Sequence, residues 1–301
     1  MGVHLVRRWV EPIALLATLM VGIGPIGARA QGADDLAALS RQVNELHDQG
    51  KYTEAIPIAE RYVALARQNH GEEHNEFATA ISGLGILYRK LSRYAEAEPL
   101  LKRSAAINEK LFSDRHPVFA ASLSSLARLY MLEGRTGEAL PLFERSLGIQ
   151  QGSVASDQSH ILGTALADLA GARLEQGNHS ETLELLRSAS DMIEHHVHRV
   201  GAPSVDLALS FATVHDRLTS AFYSVGDLAS AQAVAQTALA IRGSAVPADH
   251  PDYAQTFSNM GSILRAVGRL GEADQMFNRA LELRQTMLPE NHLDIARSLS
   301  N

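Results

Sequence analysis

Six short segments along this chain of 301 residues carry the same turn at nearly constant spacing. In each, a small residue ends a helical pattern, a larger or polar residue follows two places on, and another small residue sits three further. The copies begin Gly50-Lys51-Tyr52-Thr53-Glu54-Ala55, Ser92-Arg93-Tyr94-Ala95-Glu96-Ala97 and Gly134-Arg135-Thr136-Gly137-Glu138-Ala139. They continue as Gly177-Asn178-His179-Ser180-Glu181-Thr182, Gly226-Asp227-Leu228-Ala229-Ser230-Ala231 and Gly268-Arg269-Leu270-Gly271-Glu272-Ala273. Successive steps are 42, 42, 43, 49 and 42 residues. A period in this range belongs to solenoids, in which one supersecondary unit is repeated and each copy buries its core against its neighbours.

The apolar pattern says which unit it is. Eight and four places before the turn stand Leu84 and Tyr88, Leu126 and Tyr130, Leu218 and Phe222, Met260 and Leu264. Those offsets share one face of a helix. Nine places after it stand Leu101, Phe143, Leu186 and Phe277. Five and twelve places after it the residues stay small: Ala97 and Ser104, Ala139 and Ser146, Ala231 and Ala238, Ala273 and Ala280. Small side chains let helices approach, and the large ones fill the space between them. No window shows a sustained period-two pattern, so two helices per repeat and no strands are expected, with helix beginning at Leu36 after a polar lead-in over 31–35.

This pattern resembles the tetratricopeptide repeat. The 42-residue period and the joints His116-Pro117 and His250-Pro251-Asp252-Tyr253 resemble its longer, kinesin-light-chain-like subclass. The resemblance covers about residues 36–301. It departs from the family pattern in lacking the usual Trp, in Ser92 for Gly and in Thr182 for Ala, and the fourth repeat runs long through Glu194–Ser204, so that its second helix or the following loop is extended. It implies an all-α, right-handed superhelical solenoid of antiparallel helix pairs, about six repeats plus a half. The half repeat is His292–Asn301, where the start of a first helix recurs and a seventh repeat is cut short.

The N-terminus bears on location. Arg7 and Arg8 precede the apolar run Ile13–Gly24, and Pro25 and Ala28-Arg29-Ala30 follow. Positive start, short apolar core and A-x-A are the parts of a secretory signal peptide. Residues 1–30 are therefore expected to be cleaved after Ala30, leaving a solenoid domain over 31–301 in the periplasm or outside the cell. The run is shorter than the roughly 20 residues needed to span a bilayer. The alternative is an uncleaved signal anchor; after cleavage no membrane insertion is expected.

A net charge of −7 argues against a nucleic-acid partner, since no basic field is present to meet phosphates. The absence of cysteine excludes disulfides, thiolate metal sites and cysteine nucleophiles. The chain contains no H-E-x-x-H, no phosphate-cradling G-x-x-x-x-G-K, no dinucleotide fingerprint and no G-x-S-x-G. No catalytic residue, cofactor or metal site is therefore expected. His74, His116, His160, His250 and His292 recur at the repeat joints, which points to a structural role. Glu194, His195, His196 and His198 lie outside the register, but too few of them share a helix face to make a zinc site.

What remains is a binding surface. Offsets thirteen, nine, six and two before the turn fall within about 60° on the first helix of each repeat, away from the apolar stripe. The resemblance implies that this face lines a concave groove that holds a peptide or protein partner. Its candidate residues are Arg41, Lys90, Arg128, Asp168, Arg217 and Asn259, the last at a position where kinesin-light-chain-like repeats favour Asn. A carboxylate clamp would pair Lys or Arg with Asn across adjacent repeats. Gly83 and Ser125 stand where those Asn residues would be. The expected function is a non-catalytic scaffold or adaptor; the alternative is the recognition portion of a longer enzyme, such as a tetratricopeptide-fused peptidase. Neither the partner nor the oligomeric state can be read from the chain.

Overall fold

The computed structural model describes residues 26–153, 159–201, 203–286 and Ile295. Most of the expected signal segment, residues 1–25, lies outside the described residues, and so does the seventh-repeat stub apart from Ile295. That residue is helical and 4% exposed. Among the described residues the chain is a succession of helices with no strand. They are α1 (Ile26–Asp48), α2 (Tyr52–His70), α3 (Asn75–Lys90), α4 (Tyr94–Phe112), α5 (Pro117–Leu132) and α6 (Thr136–Ser153). There follow α7 (Ser159–Glu175), α8 (His179–Val200), α9 (Val205–Ser224), α10 (Leu228–Ala245), α11 (Tyr253–Ala266) and α12 (Leu270–Gln285).

Each odd-numbered helix ends at one of the six turns, and the turn chemistry is uniform. Gly50, Gly134, Gly177, Gly226 and Gly268 have φ between 71° and 84°, and Ser92 adopts the same left-handed conformation at φ 57°. The residue after each turn donates its N–H to the carbonyl five places before it, as in Lys51 to Leu46 (2.8 Å), Arg93 to Tyr88 (2.8 Å) and Arg269 to Leu264 (2.9 Å). This closes the helix in a Schellman motif and turns the chain back for the next one. The joint histidines do the opposite task. His74 Nδ1 accepts from the Glu76 N–H (3.1 Å) and His116 Nδ1 from the Val118 N–H (3.2 Å), capping the starts of α3 and α5.

The predicted faces are buried. Leu84, Tyr88, Leu126, Tyr130, Leu218, Phe222, Met260 and Leu264 join Leu101, Phe143, Leu186 and Phe277 in one core that runs from Val43 to Phe277. The small positions Ala97, Ser104, Ala139, Ser146, Ala231, Ala238, Ala273 and Ala280 are also buried, where helices cross closest. One element differs from expectation and one resolves an alternative. Helix α1 already includes residues 26–35, ahead of the expected start at Leu36. The long fourth repeat is absorbed by α8, whose 22 residues end at Gly201, φ 82°.

Odd-numbered helices pack on one another in series, α3 on α5, α5 on α7, α7 on α9 and α9 on α11, and so line the inner face. The curvature brings the ends together. Lys90 at the end of α3 pairs with Asp252 at the start of α11, with Nζ–O distances of 2.9 and 3.1 Å. Beside it, Gly50 lies so close to Pro251 that a Cβ there would come within 2.4 Å of the proline Cδ. The first two repeats therefore touch the start of the last.

Candidate functional site

The inner face is charged, and its charges are arranged around buried carboxylates. Asp168 on α7 is 2% exposed and accepts from Arg128 of α5 (Nε 2.8 Å, Nη2 2.7 Å) and from Arg217 of α9 (Nη1 3.0 Å). One carboxylate thus ties three consecutive inner helices. Burial would raise the Asp168 pKa, but the two guanidiniums outweigh it and hold the carboxyl below the ordinary carboxylate value. Asp252 forms the second centre, taking Lys90 and the Tyr52 hydroxyl (3.3 Å). Burial works against ionisation there too, and Lys90 reverses it. Burial, with Asp252 adding to it, drives the Tyr52 phenol far above its usual value, so it stays a neutral donor.

Arg89 stands between these centres. Burial, reinforced by the like charge of Arg128, pulls its guanidinium down to about 10, with Asp168 and Asp252 acting in the opposite sense. Its Nε has no hydrogen-bond partner, and it makes no ion pair among the described residues. A third centre lies further along: Arg242 donates to Asp216 (2.7 Å) and to Thr256 Oγ1 (2.6 Å), both buried. Asn259 Nδ2 donates to the Asp216 carbonyl (3.2 Å), and its own carbonyl oxygen takes a bond from Gln255 (2.9 Å). Beside it opens a shallow polar cleft of about 110 Å³ between Thr219, Ser220, Tyr223 and Ser262.

The structure therefore brings Arg128, Asp168 and Arg217 into one cluster and places Lys90 at the closure. Asn259 sits in its own cleft. Arg41 is exposed and bonds the Ala37 carbonyl of its own helix (3.3 Å), apart from the others. Sequence offsets did not single out Arg89, Asp252 or Tyr52. Arg89 is one place from a chosen offset, and the other two belong to the site only because the superhelix closes. The histidines outside the register do not converge: His198 lies 3.5 Å from Glu194 on the surface, while His196 is buried against the His160 ring, centroids 3.9 Å apart. No described helix is long and apolar enough to cross a membrane.

Comparison with known proteins matches this architecture. No curated protein matches the chain in sequence. Among solved structures, BtubC (BKLC) from P. vanneervenii superposes with TM-score 0.51 at 24% identity, covering 85% of this chain and 92% of that one. TPR-like repeats of a Podosopora anserina protein assigned as a kinesin light chain give TM-score 0.51 at 24% identity, over 72% of this chain and 96% of that one. NprR in complex with its cognate peptide NprX gives TM-score 0.64 at 11% identity, over 92% and 72%. At these identities the likeness is one of fold. The tetratricopeptide-repeat family model matches residues 34–110, 118–195 and 210–286, three stretches that each span two of the helix pairs described above. Turn, buried faces and sequence profile agree across all six repeats, and the chain belongs to the tetratricopeptide-repeat family.

Proposed function

We propose that this protein is an exported, non-catalytic adaptor of the kinesin-light-chain-like subclass that holds a peptide segment of a partner protein against its inner face. The observation that carries this reading is Arg89: a guanidinium held among the inner helices without an ion pair, next to a cluster in which Arg128, Arg217 and Asp168 each have an ion-pair partner. An unmatched half-buried cation is costly unless something completes it, and a peptide supplies carboxylates and backbone carbonyls that can. The fold supports it as well, since NprR, of similar architecture, is solved with a peptide bound. Export rests on the Arg7-Arg8, Ile13–Gly24 and Ala28-Arg29-Ala30 sequence.

Crosslinking in the native host, with the wild type compared against Arg89→Met/Asn259→Ala, tests the inner-face assignment. Neither substitution breaks an ion pair among the described residues, so helical circular dichroism is expected to be unchanged. Partners that crosslink to the wild type are expected to disappear from the variant, and each, once purified, to bind the wild type in a defined stoichiometry. Identical crosslinks would remove the inner face from consideration. N-terminal sequencing of the protein recovered from the periplasm or medium is expected to start at Gln31; a start at Met1 in the membrane fraction would mean an anchor instead.

A further inference from the structure

We infer that the joint between the first and fifth repeats is a site for a divalent transition ion, of the zinc class, held by His47, Asp48 and Asp206. The three residues come from the end of α1 and the start of α9, and closure of the superhelix alone makes them neighbours. His47 Nδ1 lies 3.6 Å from Asp48 Oδ1 and 3.8 Å from Asp206 Oδ1. All three candidate donor atoms lie within 4.8 Å of one another. Tetrahedral zinc with bonds near 2.0–2.1 Å needs its donors about 3.3 Å apart, so contraction of roughly half an ångström at the two histidine contacts would bring those donors onto an ion.

Two further observations point to a missing cation rather than a chance cluster. Asp48 and Asp206 repel one another, yet neither has a Lys or Arg partner among the described ion pairs. Like charges brought together without a counter-ion are destabilising. Beside them lies a second ring, His250, 1% exposed and close enough to act electrostatically on both His47 and Asp48. Its Nδ1 accepts from the Asp252 N–H (3.2 Å), which leaves the proton on Nε2, and Nε2 has no partner. The joint thus holds a buried imidazole N–H with no acceptor among the described residues. One imidazole and two carboxylates match zinc. Magnesium and calcium prefer all-oxygen shells, and the imidazole nitrogen of His47 favours zinc over either. Asp206 is 75% exposed on its side chain, so the ion has a path in from solvent. An ion at this point would fasten α1 to α9.

Calorimetric titration of zinc into the chelator-stripped full chain is the test, with cobalt absorbance as a report of coordination geometry. One equivalent is expected to bind, and His47→Gln and Asp206→Asn are each expected to weaken it by about tenfold or more. Asp206 is exposed at a helix start, so its substitution leaves the fold intact and keeps the result interpretable. His195→Ala/His198→Ala, which removes the exposed histidines of α8, is expected to change nothing, and magnesium is expected not to compete. The inference is overturned by absence of saturable binding, by unchanged affinity in both joint variants, by loss of binding in the α8 variant, or by equal competition from magnesium.

Discussion

Ser92 makes the residue scale concrete, because it occupies a conformation that its five counterparts reach with glycine. Its φ of 57° puts Cβ close to the following carbonyl, and its Oγ accepts from the Tyr94 hydroxyl (3.2 Å). A left-handed non-glycine residue costs about 1–2 kcal/mol. Ser92→Gly is therefore expected to stabilise the protein by about 1 kcal/mol after glycine's greater freedom in the unfolded chain is subtracted. The reciprocal Gly134→Ala is expected to destabilise it by about the same amount; urea midpoints at constant m-value decide both. Asp168 is a harder case. Removing it leaves two guanidiniums facing one another, each about a third exposed. Asp168→Ala is accordingly expected to cost about 3 kcal/mol, the low end of the range for breaking a buried pair.

Titration follows from the same residues. His215 and His250 are held below the ordinary histidine value by burial, so the unfolded chain takes protons more readily there. Stability from these two is full above about pH 6.5 and is lost as pH falls through their lower folded-state values. Asp168 and Asp252, depressed by their cations, add a second loss as pH falls below about 4. Asp216 is raised by burial and works in the opposite sense, costing stability as it ionises on the way up. Urea unfolding at pH 8, 6, 5 and 3.5 is expected to show a decline in two stages, and His215→Gln to shrink the first.

At the scale of the helix, packing is decided by the small residues. Ala139 has no exposed surface where α6 crosses α5, and a larger side chain there has nowhere to go. Ala139→Leu is expected to cost roughly 1–3 kcal/mol by overpacking, measured as a fall in thermal midpoint with the far-ultraviolet dichroism shape unchanged. These positions were legible in the sequence because a repeat shows the same local contact six times over. The α8 extension was legible only as a long fourth repeat: a non-repeating run such as Glu194–Ser204 has no second copy to decide between a longer helix and a longer loop. In the structure its first part is helical, with His196 buried against the His160 ring.

For the whole molecule the question is how far the superhelix closes. The contact of Gly50 with Pro251 and the Lys90–Asp252 pair join residues 201 and 162 positions apart. Gly50→Ala puts a Cβ into the proline ring and strains a left-handed turn, so it is expected to open the closure. A larger radius of gyration by small-angle scattering, with helical content retained, would show it; an unchanged radius would mean the repeats hold their curvature without this contact.

The repeat, its two helices, the turn, the core face and the polarity of the inner face were all determined by sequence alone. Each depends on residues within one period, where the offsets are fixed by helix geometry. What only tertiary structure decided is which inner charges meet. Arg128, Asp168 and Arg217 were chosen individually from their offsets, yet their mutual pairing depends on the angle between successive inner helices. Asp252 with Lys90 and Tyr52, and Asp206 with His47, depend on that angle summed over four or five repeats. A small rotation per repeat, accumulated along the solenoid, sets whether its ends touch, and no single repeat's sequence encodes the sum.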